Sequence, residues 1–172
     1  MVSCDEGTLE WVPKEEIDRL NLWEGDRIFF KLMDEGEPFF SLKLHYYGNR
    51  LSGAVLNGVP MELLDGLDEG GEPSVLVRER SMVHERGDYH RTSHVWVVRE
   101  KPGSHEVLLQ QRSSRQDSFA GCYDISSAGH IPAGDGYHPS ARRELTEELG
   151  ITASEEELEF TGSFKSQKEG EF

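Results

Sequence analysis

One stretch constrains this chain more than any other. Residues 129–151 read Gly-His-Ile-Pro-Ala-Gly-Asp-Gly-Tyr-His-Pro-Ser-Ala-Arg-Arg-Glu-Leu-Thr-Glu-Glu-Leu-Gly-Ile, a glycine-rich loop followed by a short acidic helix. Pro139 suits the first helical turn, where its missing N–H is not needed. Gly150 suits the helix end, because a left-handed residue costs glycine little. Between them Ala141, Leu145 and Leu149 recur every four residues as an apolar stripe. Glu144 and Glu148 have the same spacing and share a face, with Glu147 beside them. Like charges at that spacing repel on a helix, so stability alone does not favour the arrangement. A hard divalent cation relieves the conflict, since magnesium takes carboxylate oxygens. A solvated acidic helix face is the plain alternative.

The spacing decides against that alternative, because it resembles the Nudix box. That pattern sets a Gly, an acidic residue, Arg-Glu, an aliphatic residue, Glu-Glu, a Gly and an aliphatic residue at fixed intervals. Gly129, Arg143, Glu144, Leu145, Glu147, Glu148, Gly150 and Ile151 fall in place. Asp135 departs, standing where the family has Glu. The resemblance implies an α/β fold of the Nudix type, an α/β/α sandwich with a mixed sheet. It implies metal-dependent pyrophosphohydrolysis of a nucleoside diphosphate linked to another group, with Mg2+ or Mn2+ as cofactor. Glu144, Glu147 and Glu148 would bind the metal, one of them accepting a proton from the attacking water. Arg143 would orient a glutamate, and Gly129 would bring loop backbone near the metal.

Composition narrows the setting. The net charge of -15 argues against a nucleic-acid-binding surface, which needs a basic patch. It leaves a small-molecule diphosphate substrate open, since a bound metal neutralises phosphates locally. Cys4 and Cys122 lack metal-site spacing and read as reduced thiols in a cytoplasmic protein. No apolar run approaches a membrane span, and the N-terminus has no secretory pattern.

The periodicities predict further elements. Pro13–Leu20 and Glu24–Met33 read as helices, and Pro38–Tyr47 with Arg50–Leu56 as a hairpin around Gly48-Asn49. Asn57-Gly58-Val59-Pro60 is a turn signal, and Met61–Leu64 a short helical turn. Residues 59–81 read as an acidic, glycine-rich connector, with a strand at Ser74–Arg80. Strands are expected at His94–Arg99, Glu106–Arg112 and Leu158–Lys165, and Tyr123–Ser127 leads into the glycine loop.

Two further resemblances appear in an unexpected order. Residues 7–58, with Trp11, Trp23, Asp26, Phe29, Phe30, Phe39 and Phe40, resemble the C-terminal half of an 8-oxo-dGTP-diphosphatase-like Nudix hydrolase. That likeness implies that Trp23 stacks on a base and Asp26 hydrogen-bonds its edge; a core tryptophan beside a capping aspartate is the alternative. Residues 82–172 resemble the N-terminal half of an isopentenyl-diphosphate-isomerase-like Nudix hydrolase, through Tyr89-His90-Arg91, His94-Val-Trp96, Leu108–Arg112 and Asp124–His130. This second likeness implies a further metal site at His90 and His130, which match metal-binding positions of that branch, with His84 as a candidate third; surface or loop histidines are the alternative.

Residues 1–58 and 82–172 then read as two half-domains, from a tandem protein or a permuted single domain. Either the fold is incomplete or the halves assemble, within the chain, by half-domain exchange or in a homodimer. Docking would bury Trp23, Phe29, Phe30, Phe39 and Trp96. Isomerase activity is disfavoured, because Ala128 stands where those enzymes carry a catalytic cysteine. A non-catalytic nucleotide-binding fragment is the third alternative.

Overall fold

The computed structural model describes residues 2–4, 7–114 and 119–166. The chain divides into two compact units, Met1–Met61 and Glu62–Phe172.

In the first unit β1 (Val2–Cys4) pairs with β2 (Gly7–Leu9). Pro13 precedes a single 3-10 segment, Lys14–Arg19, where the sequence predicts a helix. Helix α1 (Glu24–Asp34) follows, then β3 (Leu42–Tyr47), β4 (Arg50–Leu56) and β5 (Val59–Pro60), paired in that order. The predicted hairpin is present, and Gly48 takes φ 60 at its turn. Asn57 and Gly58 both take positive φ, 51 and 85, the backbone of the tightest hairpin turns. That turn continues into paired strand rather than into a linker. The small core is Ile28 and Leu32 on α1 with Leu51 and Ala54 on β4. Gly25 lets α1 approach β3: a Cβ there would sit 2.4 Å from Leu44 Cδ1 and 2.5 Å from the Tyr46 hydroxyl.

In the second unit the expected connector is a hairpin. β6 (Leu63–Leu67) pairs with β7 (Pro73–Glu79), and the division between units falls after Met61. Leu63, Leu64 and Val77 are buried, each contributing about 1.5–3 kcal/mol of apolar burial. The glycines and acids that suggested a linker occupy the hairpin's tip, where Gly71 takes φ 86. Met61–Leu64 is not a helical turn, since Leu63 and Leu64 bond across to β7.

Helix α2 (Arg80–Arg86) follows directly. The Glu79 carboxylate accepts from the backbone of Ser81 and Met82, and Gly87 closes the helix at φ 68. Then come β8 (Thr92–Val95), β9 (Val98–Lys101), β10 (Ser104–Val107), β11 (Gln110–Gln111), β12 (Tyr123–Asp124), β13 (Ser127–His130) and α3 (Tyr137–Leu149). β13 pairs with β8, β10 with β9, and β11 with β12.

The strands predicted at His94–Arg99 and Glu106–Arg112 are each broken in two. Buried Ser126 is the cause: its hydroxyl accepts from Val97 N at 2.8 Å and donates to Leu108 O at 2.6 Å. Leu158–Lys165 forms no strand. Glu157 and Ser154 instead make a capping box around the 3-10 turn Glu155–Glu157, and no partner strand is paired to the segment among the described residues.

The α/β character stands, with three α-helices among the described residues. Every pairing described is antiparallel, so the parallel pairings of a mixed sheet are not among them. Within their own units, Trp23, Phe29 and Phe39 of the first and Trp96 of the second are exposed, and Phe30 is half-buried. Phe29 meets the rings of Phe30 at 5.8 Å and Phe40 at 5.6 Å in edge contacts.

Candidate metal and diphosphate site

The acidic helix and the glycine loop meet as their spacing predicts. α3 begins after Gly136, carries Pro139 in its first turn and ends at Gly150 with φ 67. Leu145 is buried, and Ala141 and Leu149 are half-buried on the same stripe. That packing turns the neighbouring face of the helix, which carries Glu144 and Glu148, toward the loop. A Cβ at Gly129 would lie 2.1 Å from Glu144 Cδ, so only glycine leaves room for that carboxylate. One turn on, Glu148 Oε2 accepts from Ala128 N at 3.3 Å. Arg143 donates to Glu144 at 2.7 Å and to the His130 carbonyl at 3.1 Å, and lies 4.0 Å from Glu147. Burial raises the Glu144 carboxyl above the ordinary range; Arg143 opposes this, while Glu148, Glu147 and Glu62 add to it.

The loop is clamped from beneath. Asp65, 2% exposed on β6, accepts from Gly134 N at 3.0 Å and from Arg91 at 2.8 Å. Arg91 reaches on to the Asp135 carbonyl at 2.8 Å. Asp135, where the box pattern has Glu, is thus engaged through its backbone. Ala133 N donates to Leu63 O at 2.8 Å, and Leu64 bridges Pro132.

Three histidines converge beside this loop. His84 lies on α2, His90 just after it, and His130 at the end of β13. One nitrogen from each lies within 4.8 Å of the others. His84 Nε2 and His130 Nε2 are 3.1 Å apart, and the ring centroids are spaced 5.1–5.2 Å. His90 Nδ1 sits 3.1 Å from the Asp88 carbonyl, which turns its other nitrogen free. Burial, then the Arg80 charge, depress His130 to about 4, against the pull of Glu62. Burial and His90 lower His84 as well.

A cleft of volume ≈ 450 Å³ is lined by His130 of the imidazoles and Glu144 of the carboxylates, while His84, His90, Glu147 and Glu148 are not on its wall. Its walls include Glu62, Arg80, His94, His130, Arg143 and Glu144, with Ala128 and Gly129 between them. Among the described residues no thiol lines it, and Ala128, which the resemblance sets at the isomerase cysteine position, is on its wall. Sequence reasoning missed Glu62, Arg80 and Asp65. Arg80 had a signal, since it precedes His84 by one helical turn. Asp65 had none, because an acid in a glycine-rich stretch reads as solvated.

Trp23 and Asp26 fall in the first unit, around the start of α1. Trp23 is half exposed and packs edge-on against Tyr46 at 5.1 Å. The Tyr46 hydroxyl accepts from Gly25 N at 2.9 Å, so this corner is held by its own unit's contacts.

Comparison with known proteins bears on the second unit. The model of the NUDIX domain matches residues 88–172. These residues belong to the Nudix family. The chain is 47% identical over 98 residues to Nudix hydrolase 3 of Arabidopsis thaliana, an alignment covering 57% of this chain and 12% of that protein. It is 39% identical over 106 residues to an uncharacterized Nudix hydrolase of Clostridium acetobutylicum, covering 62% of this chain and 50% of that one. An isopentenyl-diphosphate Delta-isomerase of Serratia proteamaculans is 31% identical over 90 residues, with 52% and 47% covered. The chain therefore spans at most about half the length of these relatives. The likeness expected of residues 82–172 is present, with relatives named as Nudix hydrolases and one as an isopentenyl-diphosphate isomerase. Among the described residues, no helix is long and apolar enough to cross a membrane.

Proposed function

We propose that this Nudix chain carries a metal-dependent pyrophosphohydrolase site for a nucleoside diphosphate linked to another group. The observation that carries the reading is the glycine-sized gap at residue 129 filled by the Glu144 carboxylate. A family pattern is here matched by a fit between loop backbone and helix carboxylate that any side chain would spoil.

The donor types suit a hard divalent cation, while among the described residues only the three histidines bring their ligand atoms within 4.8 Å of one another. Glu144, Glu147 and Glu148 supply oxygens of the class that magnesium and manganese take. Burial and the neighbouring carboxylates raise the Glu144 carboxyl against the pull of Arg143, and a bound cation would favour its charged form. When bound, such an ion polarises the phosphoryl oxygens and stabilises charge developing on them. Arg143 holds Glu144 in place and lines the cleft. Arg80 adds a second guanidinium on the cleft wall, suited to phosphate oxygens. One of the three glutamates takes the proton from water as it attacks phosphorus.

His84, His90 and His130 form a second donor set of different chemistry. Imidazoles favour transition metals such as zinc. Two nitrogens bound at ~2.0–2.1 Å to one tetrahedral ion lie about 3.3 Å apart, close to the 3.1 Å between His84 and His130. We assign this cluster as a second cation centre.

The test is a panel of nucleoside diphosphates linked to sugars, nucleosides or phosphate, each incubated with Mg2+, Mn2+ or chelator. Release of a nucleoside monophosphate that requires metal and disappears in Glu144→Gln supports the reading. Metal-independent release, or none with any member under any metal, overturns it.

A further inference from the structure

Glu62 opens the second unit, and nothing in the box pattern points to it. Its backbone is pinned, because its carbonyl accepts from Arg80 N at 2.9 Å and the next residue bonds to β7 and to Ala133. Its side chain therefore stands between two elements. One carboxylate oxygen meets Arg80 Nη1 on α2 at 3.1 Å. The other lies 3.5 Å from His130 Nδ1 at the end of β13. The remaining nitrogen of His130 faces His84 Nε2 at 3.1 Å.

We infer that Glu62 is the positioning residue of the three-imidazole centre, holding His130 with its proton on Nδ1 and its Nε2 lone pair turned inward. The deduction rests on the assignment of that cluster as a cation centre. A carboxylate facing Nδ1 favours a proton there, because an Nδ1 lone pair would face a negative charge. Metal-binding histidines ordinarily give their second N–H to a carboxylate or carbonyl, which fixes ring and tautomer. His90 already has such a partner in the Asp88 carbonyl. Glu62 gives His130 its counterpart. Arg80 in turn keeps the carboxylate from swinging out, so Arg80, Glu62 and His130 form one chain from the cleft wall to the centre. Glu62 thereby joins the two halves of the site: it touches the imidazole cluster and lines the cleft that Glu144 and Arg143 also line.

The first measurement needs no metal. Nitrogen-15 chemical shifts of the imidazoles, recorded on the metal-free full chain above the titration range of histidine, report which nitrogen of His130 holds the proton. Nδ1 is expected in the native chain and in Glu62→Gln, whose amide oxygen still accepts. A shift of population to Nε2 is expected in Glu62→Ala. The second measurement is cobalt(II) titration by visible absorption. Glu62→Ala is expected to lose about 10–100-fold in affinity, with Glu62→Gln between it and the native chain and the band shape unchanged.

A native His130 protonated on Nε2, or an alanine variant with native tautomer and native affinity, overturns the inference. A changed band shape also overturns it, by making Glu62 a direct ligand. Failure of the native chain to bind cobalt at all sinks the cation-centre assignment instead, and the tautomer measurement still judges Glu62. Because the glutamine variant preserves shape, a misfolded alanine variant leaves the test intact.

Discussion

At the scale of single residues, the contacts around Glu144 separate stability from function. Gly129 has ordinary backbone for any residue, yet its missing Cβ is what admits the Glu144 carboxylate. The obstructed atoms are the end of a flexible side chain, which turns away at small cost. Gly129→Ala should therefore keep its melting temperature within a few degrees while turnover falls by about 100-fold, the penalty of a misplaced catalytic group. A folded variant with native turnover would refute the close-approach argument. Glu147→Gln and Glu148→Gln should each weaken Mg2+ binding at least about tenfold, the lower bound seen even for outer partners of a metal. Neither should destabilise the metal-free chain, since one of several adjacent like charges is removed. Glutamine at 148 also still accepts from Ala128 N. Isothermal titration and thermal melts on the same samples check both statements. Ala128 gives the complementary expectation. Incubation with isopentenyl diphosphate in deuterated water should leave no label in allylic product, because among the described residues no thiol lines the cleft. Detected exchange would show another proton carrier.

At the scale of elements, the β6–β7 hairpin holds the glycine loop in register. Asp65 links β6 to Arg91 and to Gly134, and both acid and guanidinium are removed from solvent, at 2% and 9% side-chain exposure. Losing one partner of such a pair strands a buried charge, at a cost of about 3–5 kcal/mol. Asp65→Ala should lose stability of that order in urea denaturation. Asp65→Asn should lose less, since its oxygen still accepts from Gly134 N. Equal losses would mean that the loop contact contributes nothing. This hairpin also marks where sequence reading stopped. α3 was legible because two periodicities and two end signals agree over 13 residues. The hairpin β3–β4 was legible from its Gly48-Asn49 turn. The β6–β7 hairpin was not, since its glycines and acids occur equally in linkers and in tight turns. The strand breaks at Trp96-Val97 and Leu108-Leu109 depend on Ser126, far along the chain, and no local pattern encodes that contact. The three-histidine cluster was reached only through family resemblance, and Glu62 lay outside it altogether.

At the scale of the whole molecule, two electrostatic effects oppose each other as pH falls. The net charge of -15 makes the folded chain repel itself, and protonation of carboxylates relieves that repulsion. His130 works in the other direction. In the metal-free fold its imidazole stays neutral until about pH 4, because it is half-buried and faces Arg80 and His84 on α2 and His90 beyond it, with Glu62 opposing. Unfolded, it takes a proton near its ordinary value of 6.5. Between those two values the unfolded state binds more protons, so the His130 contribution to stability falls with pH through this window and is level outside it. His84, lowered in the same direction by burial and His90, adds to the slope. Thermal midpoints of the native chain and of His130→Gln, both in chelator, isolate the effect, since the carboxylates titrate alike in the two. The native-minus-variant difference should be constant above neutrality, drop steadily from about pH 6.5 to about pH 4, and level off below. A difference that stays flat through this window would mean that His130 takes up its proton in the folded state as readily as in the unfolded chain. The cluster would then lack the desolvated, cation-ready character on which the second centre rests.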